Sequence, residues 1–459
     1  MDIWKKKTTK EVLESIEKTS LKKNLTAKDI GALGIGAVVG VGIFVATGEG
    51  ARAAGPAVII SFVLAAIIAC FCGLCYSELA TMFPVAGSTY SYSYIAFGEI
   101  IAMFIGWCLT AEYLVAGSAV ASGWSGTFLG ILKNMGIHLP KIITASPSNG
   151  GIVDLPAVLI ITIITALLCY GMQESAKVNN IIVAVKIAII LLFIILGATH
   201  INVSNYKPFN PYGWKGIFAG TATIFFSYIG FDAISTSAEE AKNPKRDLPL
   251  GLIMCLAVVS VLYISVAFVL TGLVPFKEII SENAVPGALA RVGIYWGSSL
   301  VGAGAIIGMM STLLVVLYGQ VRVFLGMSRD GLLPKFFSKI HPVHKTPYIS
   351  TIITGSIAAL IAGFLPLDII VQFLSIGTLL GFIVVSLSVI RLRIVMPNFE
   401  RVFKCPGVPF TPIITILCCI LLLLRLHLKT WIGFVIWIAI GFIVYFTYGI
   451  KNSLLQNKK

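Results

Sequence analysis

Twelve apolar runs, each long enough to cross a bilayer, constrain this chain more than any other feature. A helical span needs about 20 mainly apolar residues. Runs of that kind fall at 30–51, 57–81, 98–130, 153–171, 178–200, 215–238, 248–273, 292–326, 349–365, 368–391, 409–426 and 430–450. In lipid every backbone amide and carbonyl must find a partner inside the protein, which leaves helices and closed barrels as spanning structures. Continuous runs of this length predict helices. Charged residues make up 12% of the 459, about half the share in a soluble domain. A soluble enzyme, a disordered chain and a secreted disulfide module are therefore excluded. The expected class is an all-α membrane protein with twelve transmembrane helices and the lipid bilayer as its solvent.

Residues 1–29 carry eight lysines and no apolar core of the length a cleaved signal requires. They read as a cytoplasmic tail, either a short interfacial helix punctuated by Trp4, Val12, Leu13, Ile16 and Leu21 or a solvated basic segment. Thr26 and Asp29 form a start signal for the first span. With the N-terminus inside, 24 of the 34 lysines and arginines fall on the cytoplasmic side and nine outside. That bias places both termini in the cytoplasm. The net charge of +14 is thus a topology signal, and nucleic acid is not an expected partner. Most cysteines lie within apolar runs and read as small hydrophobes. The five histidines sit in loops or at span ends, so neither a metal nor a cofactor is expected.

Two spans are interrupted. The first holds Gly34-Ile35-Gly36 and then Gly40-Val41-Gly42-Ile43-Phe44; the sixth holds Ser227-Tyr228-Ile229-Gly230-Phe231-Asp232. Glycine costs about 1 kcal/mol in a helix interior, so several in one turn predict unwinding, with close helix packing as the alternative. Divided into 30–200, 215–391 and 409–450, with a tail at 451–459, the chain places one break at the start of each five-span half. Paired breaks of this kind point to a transporter site. Unwinding frees amides at one half-helix N-terminus, which suit a carboxylate, and carbonyls at the other half's end, which suit an ammonium. Two facing breaks can therefore hold a zwitterion without charged side chains.

Ionisable groups inside spans are functional by default. Lys186, Glu112 and Asp232 stand out. Lys186 reads either as a fixed cation or coupling-proton carrier, or as one half of a structural ion pair with Glu112 or Asp232. Glu49, Glu78, Glu99 and Glu174 fall near span ends and read as interfacial.

The break Gly40–Phe44, the run IGFDAISTSAEEAKNPKRDLP at 229–249 and RDGLLP at 329–334 resemble the amino acid–polyamine–organocation transporters. AEYLVAGSAVASGWSG at 111–126 and GFDA resemble the cationic amino acid transporter branch and its bacterial relatives. The resemblance implies a leucine-transporter-like fold: a five-plus-five inverted repeat with discontinuous helices 1 and 6, plus two peripheral helices. It puts the substrate carboxylate on the amides of Val41, Gly42 and Ile43, beside Gly40. The ammonium would meet carbonyls of Val38, Phe226, Ser227 and Ile229. Phe226 and Phe231 would act as aromatic walls or gates, and Met309 or Met310 would line the side-chain pocket. Lys186 matches the lysine that stands in place of sodium in proton-coupled members, with Glu112 and Asp232 in the same coupling set. Val41 departs from the pattern, since many relatives carry serine or threonine there. Several bacterial relatives take neutral or branched-chain substrates, so the branch does not fix a cationic one.

The expected activity is proton-coupled symport of a neutral, branched-chain or cationic amino acid across a bacterial cytoplasmic membrane. The alternative is exchange without net proton movement. The spans show no nucleophile–base pair, so an enzyme is not expected; an accessory subunit is left open.

Overall fold

The computed structural model describes residues 3–8, 25–85, 88–171, 176–236, 238–280, 283–344, 346–426 and 428–457. Long helices dominate, and two isolated bridges, Leu25 with Ala241 and Thr144 with Asp154, are the only β-pairings among the described residues. Much of the proposed interfacial stretch at the N-terminus, and Glu174, lie outside those residues. In order, the principal helices are α1 (Ala27–Val38), α2 (Thr47–Ala54), α3 (Val58–Met82), α4 (Ser88–Ala96), α5 (Glu99–Asn134), α6 (Leu155–Cys169) and α7 (Ala176–Ala198). They continue as α8 (Gly213–Ile224), α9 (Pro244–Leu273), α10 (Ala284–Arg291), α11 (Tyr295–Arg329), α12 (Tyr348–Phe364), α13 (Leu367–Val395), α14 (Phe410–Leu423) and α15 (Leu428–Val444).

Seven helical stretches are long and apolar enough to cross a membrane, and three shorter apolar helices accompany them. The chain is a multi-pass membrane protein. Its exterior carries exposed aliphatic side chains such as Ile181, Ile195, Leu417 and Val435, a surface that water would penalise and lipid does not. The long runs at 98–130 and 292–326 become α5 and α11, of 36 and 35 residues. At 1.5 Å per residue each is about 50 Å long and overruns a hydrocarbon core of about 30 Å. These two helices pack along each other at the centre, with α13 and α7 against their flanks. The frame around the broken segments is built from them.

The start signal at Thr26 is realised as a capping box: the Thr26 side chain accepts from Asp29 N, and the Asp29 carboxylate accepts from Thr26 N at 3.0 Å. Asn180 adds a bond to Asp29 at 3.0 Å and ties α1 to α7.

Two of the acidic residues expected near span ends do lie at helix ends, but buried inside the protein. Glu78 is 1% exposed. It accepts from Arg393 Nε at 3.0 Å and Nη2 at 2.6 Å, and from the Cys405 amide at 2.7 Å, with Arg401 Nε 3.3 Å away. A carboxylate this deep needs a charged, hydrogen-bonded partner, and α13 with its following loop supplies it. Glu99, fully buried, accepts from Tyr94 Oη and Tyr445 Oη at 2.7 and 3.0 Å and from Ser453 Oγ. It pins the C-terminal segment beneath α5.

Glu78→Ala leaves Arg393 and Arg401 without their shared carboxylate. Breaking such a pair costs about 3 kcal/mol, so thermal unfolding of the purified protein in detergent should move down by several degrees. An unchanged melting temperature would contradict the anchoring role.

Candidate substrate site between two broken helices

The first break begins at Val39. Its N–H closes the last turn of α1 on Ile35 O at 2.8 Å, but Val39 itself is extended (φ −77°, ψ 92°). Residues Gly42–Ala46 then form a π-helical turn that leads into α2. The second break begins where α8 ends at Ile224. A tight 3-10 turn covers Phe225–Tyr228, Ile229 is extended (ψ 142°), and Gly230 has φ +110°. A single turn at Ala233–Thr236 resumes the helix. The amides that open each resumed segment lie where a helix start lacks intrahelical partners, and some still reach a nearby carbonyl: Phe44 N that of Gly40 at 3.5 Å and Ile234 N that of Phe231 at 3.1 Å.

The two breaks touch at two glycines. A Cβ on Gly42 would lie 2.7 Å from Ser227 Cα, and Ser227 Oγ donates to Gly42 O at 3.3 Å. A Cβ on Gly230 would lie 3.1 Å from the Ala37 carbonyl carbon, and its positive φ already disfavours any side chain. Closeness of the other chain segment requires glycine at Gly42, and at Gly230 the backbone conformation requires it as well.

The carbonyls freed at the breaks are met from neighbouring helices. Tyr263 on α9 is fully buried, and its hydroxyl lies 2.9 Å from Val38 O and 3.0 Å from Ser227 O. One phenolic proton can satisfy only one of them at a time. At the end of α1, Lys186 Nζ on α7 donates to Gly36 O at 2.7 Å and to Thr312 Oγ1 at 2.9 Å. Thr312, on α11, stands within 3.3 Å of the Gly36, Val39 and Gly308 carbonyls. The ammonium thus works on the C-terminal end of α1, where the helix dipole favours a cation.

Between the breaks lies a small cavity of about 40 Å³. That is room for a water molecule or so, so a larger guest requires the walls to part. Of the residues expected at the site, Val38, Gly40, Val41, Gly42, Phe226, Ser227, Ile229 and Glu112 line it. Ile43 is buried in the π-turn beyond them. Phe231 is packed between Tyr76 and Phe382, with ring centroids 5.7 and 5.2 Å away, and Met309 is buried within α11. Met310, half-buried, joins Met309 and Phe231 outside the lining. Asp232 lies outside the cavity lining: its Oδ1 accepts the Gly230 N–H at 3.2 Å, and Tyr113 Oη is 3.4 Å from Oδ2.

Sequence reasoning missed Tyr263, Thr312 and Tyr113, together with the aliphatic wall of Ala116, Val120, Val316 and Leu374. For Tyr263 a signal existed, because a tyrosine deep in an apolar span needs a partner for its hydroxyl. What it could not give was the partner's position, in segments 36 and 225 residues away.

The amino acid permease family matches residues 25–448. The chain is similar to the branched-chain amino acid permease BcaP of Bacillus subtilis (strain 168), at 44% identity over 99% of both chains. It is similar to the methylthioribose transporter of the same bacterium, at 45% identity over 99% of both. The cationic amino acid transporter 4, vacuolar, of Arabidopsis thaliana is 39% identical over 82% of this chain and 64% of its own length.

Tyr263→Phe removes the one donor shared by the Val38 and Ser227 carbonyls. An unsatisfied buried acceptor costs about 1–3 kcal/mol, so this variant should unfold at a lower temperature while Tyr295→Phe, at an exposed position, does not. Equal melting of both variants would remove the bridging role.

Proposed function

Because this chain belongs to the amino acid permease family, we propose that it is a proton-coupled importer of branched-chain amino acids, working by alternating access. The observation that carries the substrate class is the cavity itself. Val38, Val41, Gly42, Ser227 and Ile229 all line it, so backbone amides of the first break and carbonyls of both breaks are available to form a donor pole and an acceptor pole. A zwitterion presents the complementary pair on one carbon, its carboxylate to the amides of residues 41–43 and its ammonium to the carbonyls.

The side-chain wall narrows the choice. Ala116, Val120, Val316, Leu374, Phe226 and Ile229 offer aliphatic and aromatic surface, on which each buried methylene is worth about 0.8 kcal/mol. That favours leucine, isoleucine and valine, in line with the name of one relative, a branched-chain amino acid permease. The name of another is methylthioribose transporter; methylthioribose is uncharged and gives neither pole of the cavity a charged partner.

Around the site we place twelve spans in a five-plus-five inverted repeat, 30–200 and 215–391, with 409–450 peripheral. Helix pairing supports this: α3 packs on α9, α5 on α11, α6 on α12 and α2 on α8, each joining counterparts of the two halves. The pairs α5–α13 and α7–α11 exchange under the same operation. Both termini are placed in the cytoplasm of a bacterial cell, a reading that the positive-charge bias supports.

Coupling falls to Lys186. While charged, it holds Gly36 O and Thr312, and with them the end of α1, against α7 and α11. Loss of the proton removes the charge-assisted part of those bonds and frees α1 to move. Glu112, in the cavity wall, and Asp232, which Tyr113 reaches from that wall, stand beside this route as further members of the coupling set.

In proteoliposomes with a proton gradient, unlabelled isoleucine and valine should compete with radiolabelled leucine, and arginine and methylthioribose should not. Competition by arginine would move the substrate class to cationic amino acids, and competition by methylthioribose alone would move it away from zwitterions. Lys186→Ala should abolish gradient-driven accumulation and leave leucine binding in place, while replacement of sodium by choline should change nothing. Undiminished accumulation in Lys186→Ala, or counterflow independent of the gradient in the wild type, would favour exchange.

A further inference from the structure

A cavity of about 230 Å³ opens at the end of α11 that lies beside the N- and C-terminal segments. Lys7 pairs with Asp330 there at 2.7 Å, and Leu454 N donates to Asp330 O at 3.0 Å. The cavity is bounded by the last turns of α11, the end of α6 and the connector that leads into α12. Tyr318, Arg322, Leu325 and Arg329 line it from α11 at spacings of four, three and four, which is one face of a helix. Leu168 from α6 and Ile340 from the connector add apolar wall.

The charge on this cavity is of one sign. Two arginines line it, and no carboxylate among the described residues does. Arg322, half-buried, lies over the Tyr318 ring at 4.4 Å. Its nearest carboxylate oxygen, Glu240 Oε1, is 3.6 Å away, which offsets part of its charge but lies beyond hydrogen-bond reach. Arg329 is exposed, and no ion pair or hydrogen bond engages its side chain among the described residues. Its neighbour Asp330 is taken by Lys7 and by Tyr90 Oη at 2.6 Å. The two hydroxyls on the cavity already donate elsewhere, Thr346 to Cys169 O at 2.8 Å and Thr351 to Pro347 O at 3.1 Å. The donors on offer are therefore two guanidinium groups, whose planar forks match a phosphate.

The surroundings of the cavity indicate which phosphate it meets. Tyr170 and Val343 are 67% and 75% exposed, and on the connector Phe336 and Ile340 stand exposed beside Lys335 and Lys339. Exposed aromatic and aliphatic side chains mixed with lysines mark the level of lipid head groups. A soluble phosphate would gain nothing from them. We propose that this cavity binds the head group of an anionic phospholipid, with the phosphodiester on Arg322 and Arg329 and an acyl chain along Leu168, Leu325 and Ile340. The bound lipid braces the connector against α6 and α11.

The test is native mass spectrometry of the purified full chain in detergent, titrated with phosphatidylglycerol or with phosphatidylcholine. The wild type should retain phosphatidylglycerol at concentrations where phosphatidylcholine is stripped away. Arg329→Gln, and separately Arg322→Gln, should weaken that retention at least about tenfold, the worth of one hydrogen bond to a charged group. Arg246→Gln, at an exposed arginine in the first turn of α9, should not. Matching melting temperatures certify that the variants are folded. Arg329 has no protein partner to lose, so its variant decides the matter even if Arg322→Gln unfolds. Excess inorganic phosphate should leave the lipid bound. Equal retention of the two lipids, undiminished retention in Arg329→Gln, or an equal loss in Arg246→Gln overturns the site. Displacement by inorganic phosphate overturns the lipid as its occupant and leaves a site for a soluble anion.

Discussion

A peptide group stripped of its helical partner inside a membrane must find another, and this requirement organises the molecule. Two spans leave their helical course at mid-length, and each opening would be ruinous in lipid. The surrounding helices answer it with hydroxyls and one ammonium. Tyr263 stands between Val38 O and Ser227 O, and Lys186 with Thr312 meets Gly36 O and Val39 O. The partners come from α7, α9 and α11, so the breaks are held by long helices that are themselves well packed. What the neighbours leave over, amides on one side and carbonyls on the other, is the binding chemistry.

Small residues make the arrangement possible. Gly42 against Ser227 and Gly230 against Ala37 bring two backbones together with no side chain between them. The same closeness keeps the cavity small, so the site described is a contracted one whose walls separate to admit a guest. The Lys186 clamp bears on α1, the element whose end moves least expensively because only a few side-chain bonds replace its missing helical ones. In the proposed mechanism, binding and proton movement act on the same few carbonyls.

Much of this was legible along the chain, and the division follows sequence distance. The capping box at Thr26 and Asp29 is a contact over three residues and was read directly, as were the breaks, because glycine clusters act on their own turn. That Val38, Gly40 to Gly42 and Ser227 would meet at one site was implied by the family resemblance, and they line one cavity. What stayed hidden were contacts made across the fold: Tyr263 with Val38, Thr312 with Gly36, and Glu78 with Arg393, whose partner is 315 positions away. Apolar spans are nearly uniform in pattern, so nothing along α9 or α11 says which face meets which neighbour. Phe231 and the Met309–Met310 pair show the converse. Their residue types suggest pocket walls, but packing against Tyr76 and Phe382 claims Phe231, and helix register turns Met309 into the core.

The most direct test is a cryo-electron microscopy structure of the protein with leucine bound. The account predicts a carboxylate within about 3 Å of the amides of residues 41–43, an ammonium among the Val38, Ser227 and Ile229 carbonyls, and both breaks preserved. Leucine held instead by charged side chains, or residues 34–44 and 225–232 wound into continuous helix around it, would contradict the account at its root.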